Sequence, residues 1–308
     1  MTRVEDAPAP TQPTQPVVII TDEDMTAFRK EKPTLPKDSS AYVSPFSDES
    51  TQGYPTDKYP KCNGVREIKE VVDILHTAKI PCSLVGESAL IYYGAGRIMH
   101  LTTFATQDWH ICVPTEQLEK AADLFRVRAK SFELVSRSTL SYTGRIDHLY
   151  PRFKLVGLRL FFILMSSQAC HLDLKPENIE FSATGLPYPT LAVFAQSLLD
   201  GKVGVDLDDL VDGMNLTPEW GEEHLDLEGT VDADWIWWKY NVAYNLSNKE
   251  DERPLWYSNP DNRRDIWMRK VTPEAKKMRQ TWKYQPDYET RFRKIGCKDP
   301  RLRDRNYC

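Results

Sequence analysis

Long apolar runs are missing from this sequence. The richest, Leu158 to Met165, is interrupted by Arg159 and falls far short of the roughly 20 residues that a bilayer helix needs. A membrane-spanning chain is therefore excluded, and no membrane partner is expected. The opening residues, Met1 to Pro16, place no apolar segment behind Arg3, which rules out a secretory signal and a transit peptide and points to the cytosol or nucleus. Cysteine is sparse. The six, at 62, 82, 112, 170, 297 and 308, form no Cys-x-x-Cys pair, so neither a disulfide framework nor a structural zinc site is expected. Cys82 and Cys112 lie in apolar segments and read as small buried hydrophobes. No Gly-x-Ser-x-Gly and no cysteine-nucleophile motif is present, which leaves hydrolase and thiol chemistry without support. The acids Asp206, Asp208, Asp209 and Asp212 lack the EF-hand order, so a calcium loop is absent too. What the chain does have is material for a core: 308 residues, 41% hydrophobic and 28% charged, suffice for one large domain or two ordinary ones.

Organisation follows from composition. Residues 1–60 mix nine prolines with Ser, Thr and acids and cannot bury enough surface to offset their ordering entropy, so a disordered leader is expected. Order should begin near Gly64, because Val65, Ile68, Val71, Val72 and Leu75 recur at helical spacing. A short strand at Cys82 to Gly86, a helix over Glu87 to Tyr93 and a second strand at Trp109 to Val113 follow. Next come an amphipathic helix, Glu116 to Arg128, and a β-hairpin turning at Gly157 between Arg152 and Met165. A last strand, Cys170 to Leu174, is expected to close the core. These elements predict an α+β (mixed α/β) domain over 61–188, followed by a helical acidic segment at 189–250 and a basic aromatic tail at 251–308.

The charge is segregated. Asp200 to Asp234 hold twelve acids against Lys202 alone, a net of −11, whereas Asp251 to Cys308 hold sixteen Lys and Arg against nine acids, a net of +7. The two segments are expected to dock on each other or to solvate the surface, ahead of the tail touching nucleic acid. Trp235, Trp237, Trp238 and Tyr240 read as packing anchors rather than a base-stacking platform, and His76 and His148 as structural histidines.

The stretch that carries chemistry is Leu84-Val-Gly-Glu-Ser-Ala-Leu-Ile-Tyr-Tyr-Gly94, followed after Arg97 by Asp108-Trp-His110-Ile-Cys-Val. A glycine at a strand-to-helix turn lets the backbone approach a phosphate, and Asp108 and His110, two apart on a strand, project to one face. Here the sequence resembles the nucleotidyltransferase superfamily, whose pattern is Gly-Gly/Ser after a first strand, Asp-x-Asp/Glu on the second and a third carboxylate later. It is most similar to the fungal nucleotidyltransferase-like proteins. Those share blocks like Leu186-Pro-Tyr-Pro, Phe194-Ala-Gln-Ser-Leu-Leu, Asp209-Leu-Val-Asp-Gly-Met-Asn and Glu219-Trp-Gly-Glu-Glu, and the likeness runs from about Gly64 to Trp238. The resemblance implies magnesium-dependent transfer of a nucleotidyl group from an NTP. Gly86 and Ser88 would form the phosphate turn, Arg97 would assist on the nucleotide, and Asp108 and Asp173 would hold Mg²⁺. His110 stands where the second carboxylate belongs, and Met99 to Thr106 resemble an insertion.

Imidazole brings no negative charge to a hard cation, so a non-catalytic nucleotide-binding or protein-interaction module on the same fold stays open beside the enzyme. Protein partners would then engage the leader or the basic tail. A third reading comes from His171-Leu-Asp173-Leu-Lys-Pro-Glu-Asn178, which is similar to a protein-kinase catalytic loop. It lacks the companion glycine loop, strand lysine and Asp-Phe-Gly.

Overall fold

The computed structural model describes residues 56–95, 101–102, 105–106, 108–135, 146–244, 259–281 and 301. All belong to the compact unit formed by residues 45–308. Residues 1–55, where most of the disordered leader is expected, lie outside the described residues, as do Arg97 and nearly all of the tail beyond 281.

Helix α1, Val65–Thr77, buries Ile68, Val71, Val72 and Leu75, the stripe its period dictates. Strand β1, Ser83–Val85, leads through Gly86 into the short α2, Glu87–Tyr92. Two two-residue strands, β2 at Leu101–Thr102 and β3 at Ala105–Thr106, pair with each other in the connection read as an insertion. Strand β4 is Trp109–Val113, and α3 is Leu118–Arg126. Strands β5, Phe132–Leu134, β6, Arg152–Leu155, and β7, Phe161–Ser166, complete a five-stranded sheet in the order β1-β4-β7-β6-β5. The β4–β7 pair is parallel and the other three are antiparallel, so the sheet is mixed and the fold is α+β. Phe153 and Phe162 face α3, where both contact Phe125, and Trp109, Ile111, Val113 and Leu164 join the same apolar core.

The strand expected at Cys170 to Leu174 is instead a run of turns. The amides of Cys170, His171 and Leu172 donate to the carbonyls of Ser166, Gln168 and Ser167, and His171 takes a φ of 49°, which no strand residue adopts. The segment still closes over the sheet, because Leu172 packs with Val85 and Cys112. After it, β8, Ile179–Phe181, and β9, Pro187–Pro189, form a separate hairpin.

The rest is helical, as expected: α4 Leu191–Asp200, α5 Gly204–Met214, α6 Pro218–His224 and α7 Ala233–Tyr244. Helices α8, Arg263–Val271, and α9, Pro273–Thr281, belong to the basic segment. They lie against the acidic one, so the segregated charges meet within the chain. Arg279 grips Asp212 at 2.6 Å and Asp208 at 3.0 Å, Lys270 pairs with Asp208 at 2.7 Å, and Arg263 pairs with Asp200 at 2.8 Å. Arg264 adds Glu222 and Glu228. An apolar anchor underlies these pairs. Trp267 is fully buried, and a Cβ on Gly221 would lie 2.0 Å from its indole nitrogen, so only glycine leaves room for the ring. Trp237 is a buried anchor as read, while Tyr240 is 43% exposed.

Candidate functional site

Strand alternation divides β4 between two environments. Trp109, Ile111 and Val113 enter the apolar core, and Asp108, His110 and Cys112 project from the opposite face. Register carries that face across the sheet. His110 lies beside Ile163, whose other neighbour is Arg152, and Phe161 lies beside Lys154. Asp108, His110, Arg152 and Lys154 therefore share one side, and all four are buried.

This layer is wired by ion pairs. Arg152 reaches over the Phe161 ring, its guanidinium carbon 4.1 Å from the centroid, and donates from Nε and Nη2 to the two oxygens of Asp108 at 3.0 and 3.1 Å. The Asp108 side chain is 0% exposed, so this bidentate contact is a desolvated, charge-assisted pair. His110 Nε2 donates to Asp147 at 3.2 Å, with Asp147 set on the turn 147–149. Lys154 pairs with Asp57 at 2.5 Å.

Gly86 and His110 are in contact at the turn into α2. Gly86 has a φ of 63°, open to glycine at little cost, and a Cβ there would lie 3.3 Å from Nδ1 of His110. That nitrogen is buried without a hydrogen-bond partner among the described residues. Ser88 turns its hydroxyl inward, donating to the Val85 carbonyl at 3.1 Å, and Glu87 is buried on the first turn of the helix. The imidazole packs against the bend, the hydroxyl serves the fold, and a carboxylate stands where an anion would be received. Two further groups on this side of the sheet are held neutral. Burial raises the Tyr150 phenol to about 12, despite its contact with Ser166, and raises the Cys112 thiol well above its usual range. Neither serves as a base or nucleophile near neutral pH.

Asp173 lies elsewhere. It sits on the surface turn that replaced the expected strand, 56% exposed and paired with Lys175 at 2.6 Å. Asn178 donates its amide to the Asp173 main-chain oxygen at 2.9 Å, closing the kinase-like segment into a local turn. The two acids read as metal ligands are thus held by different cations, one inside the protein and one at its surface.

Magnesium binds several oxygens at about 2.1 Å in octahedral order. Among the described residues, no group of three or more His, Cys, Asp and Glu is placed to hold a metal ion. With both Asp108 oxygens on a guanidinium and a histidine bonded to Asp147, the donor set does not fit Mg²⁺. Sequence reasoning missed Arg152, Lys154, Asp147 and Asp57. The one signal available for the first two was their alternation in Arg152-Phe-Lys-Leu, opposite an equally polar alternation at Asp108 and His110.

No helix among the described residues is long and apolar enough to cross a membrane. Neither a protein-family model nor any curated protein sequence matches this chain.

Proposed function

We propose that the chain is a non-catalytic binding module on a nucleotidyltransferase-like core, in which Arg152 supplies the positive charge that a metal-dependent enzyme of that class would draw from magnesium. The observation that carries this reading is the bidentate Arg152–Asp108 pair, closed at 3.0 and 3.1 Å in a fully buried setting. A cation covalently tied to the sheet cannot exchange with substrate-borne magnesium, and it leaves Asp108 without a free oxygen for a second ion. The inward Ser88 hydroxyl and the imidazole against Gly86 support the same reading. Arg263, Arg264, Lys270 and Arg279 are engaged by the chain's own acids, which favours a small anion or a protein over nucleic acid as the partner. The free thiols of Cys82, Cys112 and Cys170 suit a reducing compartment, cytosol or nucleus.

Calorimetric titration with ATP and Mg²⁺ tests this. The expected result is no magnesium-dependent binding, in wild type and in Asp108→Ala alike. Tight magnesium-dependent binding that Asp108→Ala abolishes would overturn the reading and restore the enzyme.

A further inference from the structure

Arg301 stands 121 positions beyond Glu180 in the chain, yet its guanidinium meets that carboxylate on the β8–β9 hairpin. Nη1 donates to both Glu180 oxygens at 3.4 Å, and the guanidinium carbon lies 5.9 Å from the centroid of the Tyr93 ring. The pocket that receives it is shaped by other contacts. Tyr92, the last residue of α2, donates its hydroxyl to Glu180 at 2.9 Å and stacks on Tyr188, the ring centroids 4.2 Å apart. Tyr188 is the register partner of Glu180 in the hairpin. Tyr93 donates to the Pro189 carbonyl at 2.5 Å and stacks with Phe194 of α4. None of these contacts uses Arg301, so the acid and the rings are positioned independently of the guanidinium that they hold.

We propose that Glu180, Tyr92 and Tyr93 form a recognition pocket for an arginine side chain of a peptide segment, and that the chain's own Arg301 is its resident, displaceable occupant. This goes beyond the reading above and does not depend on it, since the pocket is built on the hairpin and the end of α2 and uses none of the Asp108 layer. The chemistry selects the ligand. A carboxylate supplies the charge and a ring face lies within about 6 Å, a combination that suits a planar guanidinium better than a compact ammonium. The looseness of the resident contact argues for exchange. Charge-assisted bonds settle near about 2.8 Å, whereas here one nitrogen spans both oxygens at 3.4 Å, between side chains 32% and 25% exposed. Such a contact persists because it is made within one chain, where the tether holds the arginine at an effective concentration of about a millimolar. A partner's arginine that brings two nitrogens to the two Glu180 oxygens makes the shorter, bidentate pair and takes the pocket.

The test is an NMR titration of the isotope-labelled full chain in EDTA with a capped peptide of residues 298–302, following the amides of Tyr92 and Glu180. Arg301→Ala vacates the pocket and should bind the peptide at least about threefold more tightly than wild type, because the competing side chain is gone. Adding Glu180→Gln, which keeps the shape and removes the charge, should abolish that binding. The same peptide carrying Arg301→Lys should bind more weakly. Melting curves confirm that each variant is folded. Equal affinity in wild type and folded Arg301→Ala, no binding to Arg301→Ala at millimolar peptide, binding that survives Glu180→Gln, or equal affinity for the lysine peptide overturns the proposal. Sedimentation adds one more outcome: a wild-type dimer that Arg301→Ala dissolves would put the arginine of a second copy in the pocket and overturn the assignment within one chain. Magnesium and nucleotide are absent throughout, so this result and the ATP and Mg²⁺ titration can each fail alone.

Discussion

Replacing Arg152 by alanine should be among the most damaging single changes available in the sheet. The guanidinium holds both oxygens of a carboxylate that is 0% exposed, so truncation strands Asp108 in a dry setting and also removes the cation from the Phe161 ring. Breaking a buried pair from one side costs about 3–5 kcal/mol, because the surviving charge stays desolvated without compensation. Against a domain stability of about 5–15 kcal/mol, that is about a fifth of the total or more. In urea, with a slope of about 2–3 kcal/mol per molar, the midpoint should fall by roughly 1–2 M. The companion variant removes both charges. Asp108→Leu with Arg152→Met replaces the pair by apolar side chains of similar volume and should return to within about 1 kcal/mol of wild type, since the pair's attraction is largely offset by its desolvation. Denaturation curves of the wild type, Asp108→Leu, Arg152→Met and the double variant close the cycle. A loss below about 1 kcal/mol in Arg152→Ala would mean that water reaches Asp108. The carboxylate would then be available to a metal, and the argument that the guanidinium has taken the metal's place would fail.

The helical half makes three further predictions. Gly221→Ala pushes a methyl into the Trp267 indole, 2.0 Å away, and should cost about 1–3 kcal/mol while exposing α8 and α9 to trypsin; an unchanged digestion pattern would count against the anchor. Arg279→Ala strands Asp212, whose side chain is 0% exposed, and should destabilise by about 3 kcal/mol, whereas Arg264→Ala, at a solvent-exposed pair, should leave the urea midpoint in place; equal effects would refute the burial argument. Burial lowers the His171 pKa from 6.5, so the unfolded chain binds more protons than the native one between the two values. Stability should therefore be fully present above about 6.5 and fall as pH drops below it, and His171→Gln should flatten the urea midpoint between about pH 7.5 and pH 5.5; a slope unchanged by the substitution would show that other groups set it.

Local pattern carried much of the fold. The stripe of α1, the strand Trp109–Val113 and the hairpin turning at Gly157 were legible because each is determined within about a dozen residues by periodicity or a turn. The acidic and basic segments were legible as a complementary pair, since net charge survives ignorance of geometry. The strand at Cys170 to Leu174 was misread because its apolar residues fit a strand as well as a packed turn. A positive φ at His171 decides between them, and nothing in the neighbouring letters announces it.

The side chains around Asp108 and His110 were less legible, because their partners lie far away in the sequence. Asp108 and Arg152 are separated by 44 positions, and His110 and Asp147 by 37, so no spacing rule could join them. Reading Asp108 as a metal ligand treated an acid on a strand face as unclaimed, when its charge obliges some cation to be present once it is buried. Sequence shows only the obligation. Whether a bound ion or a side chain meets it depends on what the other strands place on the same face, and here β6, beyond β7 in the sheet, places Arg152 and Lys154 there. A face that needs positive charge has been given its own.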